Sequence, residues 1–358
     1  MKFVHIADVH FDVPFSTISD RAELGQTRRL EQREAFKKVI EFIKENNIEY
    51  LFISGDLYEQ LYVRKSTIIF INNLFKEIPN TKIYITPGNH DPYIKASYYN
   101  CYEWEKNVKI FTSQVEKIEN EDAIIYGFGF DNYEMNKNQL NEIVIEQSNK
   151  PQILITHGTI VSGNDTKGIY NPMSAQELLK KGFDYIALGH IHKPQILIRD
   201  NAAYAGALEP VDRNDLGDHG YIEGHLENGR LKTNFVPFAC RSYEQILLML
   251  REDSTQASLE DMLKADLANK GRMNIYRIVI QGTRAPELLL LPERLKSFGY
   301  VTEVLDESKP SYDLEALQKK YSGTLIGDYI SYFLEKDRNA VEEKALYYGL
   351  QALLETSR

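Results

Sequence analysis

Five short apolar runs, each ending in a polar segment that carries His, Asp or Asn, constrain this chain more than any other feature. The run from Lys2 to Ala7 leads into Asp8-Val9-His10, and Tyr50 to Ser54 leads into Gly55-Asp56. Lys82 to Pro87 precedes Gly88-Asn89-His90-Asp91, Gln152 to Thr156 precedes His157-Gly158, and Phe183 to Leu188 precedes Gly189-His190-Ile191-His192. Short runs rich in β-branched and aromatic residues read as strands covered on both faces. Between the first two, Arg28 to Glu45 sets Leu30, Phe36, Val39, Ile40 and Ile43 at helical spacing with charges opposite. Alternating strands and helices predict a layered α/β domain with its functional groups gathered at the carboxyl ends of the strands.

The residue types at those ends have a common chemistry. Imidazole, carboxylate and amide oxygen are the ligands that hold Mn²⁺, Fe or Zn²⁺ while leaving coordination positions open. One Asp-x-His or one His after a strand carries little information, since such a histidine is more often a hydrogen-bonded structural residue. Here five of the eight histidines fall in the five segments, each near Gly, Asp or Asn at a strand-to-loop junction. Histidines scattered through a core would not be distributed in that way.

In order and content, D-x-H, GD, GNHD, H and G-H-x-H, the set resembles the calcineurin-like metallophosphoesterase superfamily. The resemblance implies a four-layered α/β/β/α sandwich and a two-metal phosphoesterase site. It assigns Asp8, His10, Asp56 and His192 to one metal and Asp56, Asn89, His157 and His190 to the other, with Asp56 as the bridge. Two cations held roughly 3.5–4 Å apart neutralise phosphate oxygens during in-line displacement. His90 is then the catalytic residue free of metal, poised to protonate the leaving oxygen, with Asp91 orienting its ring. Asp91 also fits a plain loop cap before Pro92.

The remaining sequence extends this reading. With 358 residues, 43% hydrophobic and 26% charged, the chain has room for a large core and a smaller second domain. Two cysteines, Cys101 and Cys240, are too few for a disulfide framework. With neither an apolar leader nor a long uncharged apolar run, the chain reads as cytoplasmic, without membrane association. Later strands, including a hairpin turning at Asn228-Gly229, bring the catalytic domain to about residue 240. From Tyr243 to Leu305 the pattern runs strand, helix (Leu259 to Leu267), strand, helix (Pro286 to Phe298), strand. The expected organisation is a nuclease domain over 1–240, a capping and DNA-selection domain over 241–310, and a helical partner-binding segment over 311–358.

That appended module, with the opening Val4 to Asp12 and the segment Ala203 to Pro210, resembles the SbcD-type DNA-repair exonucleases, and within them the bacterial YhaO-type enzymes. The resemblance implies a Mn²⁺-dependent DNA phosphodiesterase, a 3′-to-5′ exonuclease with single-strand endonuclease action, working with an SMC-like coiled-coil ATPase in double-strand break repair. Glu59 departs from the branch, where Asp is common, which leaves a role at that position open. No G-x-x-x-x-G-K-[ST] loop occurs, so ATP-driven opening of DNA needs another polypeptide. Ile326, Ile330, Phe333 and Leu334, then Leu346, Leu350, Leu353 and Leu354, suggest two amphipathic helices, either packed on the chain itself or gripping that partner. The sequence leaves a homodimer open.

Charge weighs the other way. There are 42 Lys and Arg against 52 Asp and Glu, a net −10. Phosphate neutralisation by Lys and Arg dominates DNA affinity, so tight autonomous binding is not expected. The basic clusters Arg28, Arg29, Arg33, Lys37 and Lys38, and Arg64-Lys65, are candidates for phosphate contact but read better as solvated helix face, with Glu31 and Glu34 offsetting much of the first. His5 reads as a packed core histidine, and His219 and His225 as uninvolved in catalysis. Tyr98, Tyr99, Tyr102 and Trp104 suit core packing better than base stacking. The alternatives are a phosphatase or pyrophosphatase for nucleotides or other small phosphoesters, and a silent scaffold; the complete ligand set argues against the latter.

Overall fold

The structure is a computed structural model and describes residues 1–15, 22–136, 139–161, 170–197, 201–227 and 229–356. It divides into two compact units, Met1–Tyr243 and Glu244–Arg358.

The first unit is built on two six-stranded sheets. In one, Lys2–Ile6, Tyr50–Ser54, Lys82–Thr86 and Val108–Ile110 lie parallel in that order, and Gly220–Glu227 and Arg230–Pro237 add an antiparallel hairpin beside Lys2–Ile6. That hairpin pairs Glu227 with Arg230 across its turn, where Gly229 takes φ +70°; Asn228 lies outside the described residues. In the other sheet, Ala202–Tyr204, Tyr185–Gly189, Gln152–His157 and Ile124–Phe128 are parallel neighbours, flanked antiparallel by Gln195–Leu197 and Glu116–Glu119.

Strand periodicity decides what each face meets. Phe3, Tyr50 and Phe52 point from the first sheet into a core shared with Ile153, Ile155 and Tyr185 of the second. The alternate residues, Val4, Leu51 and Ile83 among them, pack on Phe36, Val39 and Ile40 of the helix Ala22–Glu45 and on Ile71 of the helix Lys65–Lys76. Behind the second sheet, Tyr126, Leu154 and Leu188 cover Leu178 of the helix Ala175–Lys181. Strands buried on both faces explain the near-continuous apolar runs in the sequence.

Some elements differ from expectation. The first helix, Ala22–Glu45, includes residues ahead of Arg28, and Leu30, placed by periodicity on its apolar face, is 67% exposed. Arg28 is not part of a solvated face: it is fully buried, with Glu209 at 2.9 Å and Glu31 at 2.6 Å. Burying a guanidinium demands such compensation.

The second unit carries Ile275–Arg284 between Tyr243–Leu250 and Tyr300–Asp306, with the helix Gln256–Lys270 on the face bearing Ile246, Leu248 and Tyr276. The helix expected over 286–298 shrinks to one turn, Pro292–Leu295, followed by a 3₁₀ turn. Pro292 supplies the reason, since it disfavours helical backbone at Leu291 and suits a first helical position.

The two C-terminal amphipathic helices, Leu325–Leu334 and Ala340–Thr356, turn their apolar faces inward. Ile330 and Leu350 are fully buried, and Leu314 and Leu317 of the helix Leu314–Lys320 pack against their cluster. The face nominated for a partner is therefore occupied by the chain itself. Among the described residues, no helix is long and apolar enough to cross a membrane.

Candidate metal centre

Every segment singled out at a strand end reaches the same place, three from the first sheet and two from the second. The backbone is bent to bring them there: Asp8, His10 and Asp56 have φ near +50°, and His190 has φ 105°. Left-handed backbone is costly for side-chain-bearing residues and concentrates at functional sites. Glycine is required where the strands' ends touch. A Cβ on Gly55 would stand 2.2 Å from His157 Nδ1, and one on Gly88 2.2 Å from Asp56 Oδ1.

Two clusters of ring nitrogens and oxygens result. In the first, His10 Nδ1 lies 2.8 Å from Glu59 Oε1 and His192 Nδ1 3.0 Å from Asp215 Oδ2. Each carboxylate accepts a hydrogen bond from Nδ1–H, which in the neutral ring leaves the lone pair on Nε2. Those two Nε2 atoms face each other at 3.1 Å. Asp8 groups with them within ligating reach.

In the second cluster, His157 Nδ1–H donates to the Ser54 carbonyl at 2.9 Å, freeing Nε2. That Nε2 meets Asn89 Oδ1 at 3.0 Å and Asp56 Oδ2 at 3.2 Å, while His190 Nδ1 stands 3.2 Å from the same Asn89 oxygen. Asp56 Oδ2 is also 3.8 Å from His10 Nε2, so one oxygen lies between the clusters. Its other oxygen accepts the His90 amide at 2.8 Å.

Acceptors crowded against acceptors are unfavourable unless a proton or a cation sits among them. The electrostatics agree. Burial alone would lower His157 and His192, yet the carboxylates Asp56 and Asp8 at one, and Asp215 and Asp8 at the other, raise both to about 9. Burial and the charge of His157 instead hold His190 down to about 3. Carboxylates that favour the charged form of two of these rings also favour a cation among them, and the mixed N and O donors fit divalent metals.

His90 stands at the edge, with its side chain 44% exposed. Its Nδ1 is 3.0 Å from Glu59 Oε2, so Glu59 spans His10 and His90 with its two oxygens. Burial would lower the His90 pKa, but the Glu59 hydrogen bond and the charges of Asp56 and Glu59 raise it to about 9.

Asp91, expected to orient that ring, is committed elsewhere. It is fully buried, accepting from the amides of Asp56, Leu57 and Gly88 and from the Tyr99 hydroxyl. It clamps the loops that carry Asp56 and Asn89, and the carboxylate at the His90 ring is Glu59.

The sequence leaves the role of Glu59 open and carries no sign of Asp215, which the fold brings to His192 from a loop 23 residues on. That loop is tied down by His219, whose ring contacts the Ala207 and Asp215 carbonyls. His5 is a core residue between Tyr185 and Ser54, with burial pushing it down to about 3. Tyr98, Tyr102 and Trp104 pack against the first core.

Comparison with known proteins places this geometry in context. A solved structure, the crystal structure of TT1561 of Thermus thermophilus, is similar with a TM-score of 0.40 at 13% identity, covering 65% of this chain and 98% of that one. The uncharacterized metallophosphoesterase YhaO of Bacillus subtilis (strain 168) is 30% identical over 304 residues, which cover 81% of this chain and 74% of that protein. Residues 1–194 match the calcineurin-like phosphoesterase family. This chain belongs to that family, and is a hydrolase of phosphoesters served by divalent metals.

Proposed function

We propose that the chain is a Mn²⁺-dependent phosphodiesterase that cleaves DNA as a 3′-to-5′ exonuclease, with endonuclease action on single strands. It acts in the cytoplasm, in double-strand break repair, beside an SMC-like ATPase. The observation that carries the chemistry is the convergence of free acceptors on both sides of Asp56 Oδ2. The choice of DNA is supported by the resemblance to SbcD-type enzymes and by the α/β unit appended after Tyr243; the stretch 241–310, most of it in that unit, would select among DNA ends.

Asp8, His10, Asp56 and His192 would hold one metal, and Asp56, Asn89, His157 and His190 the other. Bound divalent cations polarise phosphoryl oxygens and lower the pKa of a water. The protein's own groups do the rest. Glu59 and Asp215 fix the tautomers of His10 and His192, so that each presents Nε2. His90, its Nδ1 engaged by Glu59, has Nε2 free to give a proton to the leaving oxygen. Asp91 holds two ligand loops in register.

The test offers purified protein with Mn²⁺ labelled linear DNA, bis-p-nitrophenyl phosphate and nucleotides side by side. Shortening of DNA from 3′ ends is expected. The net charge of −10 favours a second reading, a phosphatase or pyrophosphatase for small phosphoesters. Turnover confined to nucleotides would establish that reading and overturn the first.

A further inference from the structure

The loop between Asp56 and the helix Lys65–Lys76 presents apolar and cationic side chains that the fold does not use. Leu61 is 75% exposed and Tyr62 54% exposed. Among the described residues neither joins a core cluster, although Tyr58 before them and Ile68 after them are fully buried. Arg64 and Lys65 are exposed too, and neither side chain has an ion pair among the described residues.

The loop is pinned rather than loose. The Gln60 amide donates to the His90 carbonyl at 2.9 Å, and those of Tyr62 and Val63 donate to the Glu59 carbonyl at 2.9 and 2.8 Å. At the far end, the Arg64 amide donates to Asp12 Oδ2 at 3.0 Å. Leu61 and Tyr62 thus follow directly on Gln60, which is bonded to the His90 backbone, and on Glu59, which is bonded to the His90 ring. In a chain of net −10, two unpaired cations next to an exposed aromatic form a local exception to the acidic balance.

We propose that Leu61, Tyr62, Arg64 and Lys65 form a platform for a single-stranded nucleic acid. A base next to the scissile phosphate stacks on Tyr62 with Leu61 beneath it, and flanking phosphates meet Arg64 and Lys65. An aromatic face beside cations suits this ligand because every base offers a π-face and every linkage a charge. Paired bases keep their faces inside the duplex, so the strand must be unpaired. The proposal rests on the phosphodiesterase reading and names the substrate feature that this reading leaves unassigned.

The test uses the full chain loaded with Mn²⁺, with a fluorescent oligothymidylate as probe and bis-p-nitrophenyl phosphate as a substrate without bases. Binding is read by anisotropy in the His90→Ala background, so that it does not depend on turnover. Tyr62→Ala should weaken oligothymidylate binding by about tenfold or more, and Tyr62→Phe should restore it. Arg64→Ala with Lys65→Ala should reduce the slope of log affinity against log salt by about 1.4, the value for two lost contacts to a single strand. With His90 intact, Tyr62→Ala should lower kcat/KM for oligothymidylate relative to bis-p-nitrophenyl phosphate by a similar factor. Unchanged binding in both variants, or an unchanged ratio of the two substrates, overturns the platform. If the wild-type chain hydrolyses neither substrate, the phosphodiesterase reading fails, while anisotropy still decides the platform.

Discussion

The Nε2 atoms of His10 and His192 face each other at 3.1 Å, and each ring's Nδ1 is held by a carboxylate, Glu59 or Asp215. Two imidazoles fixed in this way cannot hydrogen-bond each other when both are neutral, since both present lone pairs. The contact is satisfied when one ring carries an Nε2 proton or when both lone pairs face a cation. Asp56 extends the pattern, because one of its oxygens lies between this pair and His157.

A first prediction separates ligand from acid. Asp56→Ala should lose metal at both positions together with activity, whereas His90→Ala should keep its metal and lose turnover by about 10²-fold or more. Metal analysis of the two purified variants checks this. Normal two-metal occupancy in the Asp56 variant would show that the bridge is assigned wrongly.

How far the site was legible in the sequence follows from where its parts lie. Asp8, His10, Asp56, Asn89, His157, His190 and His192 each lie at a strand's carboxyl end or within four residues of it, so local pattern was enough to gather them at the strand ends. Glu59 and Asp215 have no such signature. Their roles arise only when Glu59 meets two rings from other segments and when a loop folds Asp215 back on His192. Among the strands, Glu116–Glu119 reads EKIE, too polar and too short to separate from loop, and it is placed by pairing with Ile124–Phe128. Periodicity revealed the two C-terminal amphipathic helices but not which surface would cover them, because an apolar stripe fits a neighbour in the same chain as well as a partner.

The carboxylates behind the rings give a second prediction. Asp215→Ala should weaken metal binding by about 10- to 100-fold through loss of the His192 tautomer. Glu59→Gln should do the same and also reduce turnover at saturating metal, since an amide oxygen can accept from one ring but its NH₂ cannot accept from the other. Titration calorimetry with Mn²⁺, set beside kcat for bis-p-nitrophenyl phosphate, distinguishes the two effects. Wild-type affinity in both variants would refute the positioning role.

Proton release supplies a third. In the metal-free protein His157 and His192 are raised to about 9 and so carry protons at pH 7. A metal must displace those protons, and its affinity should rise with pH until about 9 and then level. The sign for metal-free stability is opposite: a raised histidine pKa stabilises fully below about 6.5, and that contribution is lost as pH rises through 9. Calorimetry in two buffers of different ionisation enthalpy should detect proton release near pH 7 that vanishes above 9. Affinity falling as pH rises from 6 to 8 would contradict the assignment.

The C-terminal helices provide the last prediction. Ile330 is fully buried in an apolar cluster with Ile326 and Leu350, so Ile330→Asp places a carboxylate among hydrocarbon side chains. The expected cost is about 3 kcal/mol or more, the range for an unpaired buried charge. Leu325, one residue before Ile326 in the same helix, is 71% exposed in the first turn. An acid there is favoured by the helix dipole, so Leu325→Asp should change stability by no more than about 0.5 kcal/mol. Urea unfolding followed by circular dichroism compares the two. Equal stability of both variants would mean that the apolar stripe is not covered by its own chain, and would return that face to a partner. Collapse of Ile330→Asp alone leaves any ATPase partner to the outward surface, where Leu325, Tyr332 and Val341 are exposed.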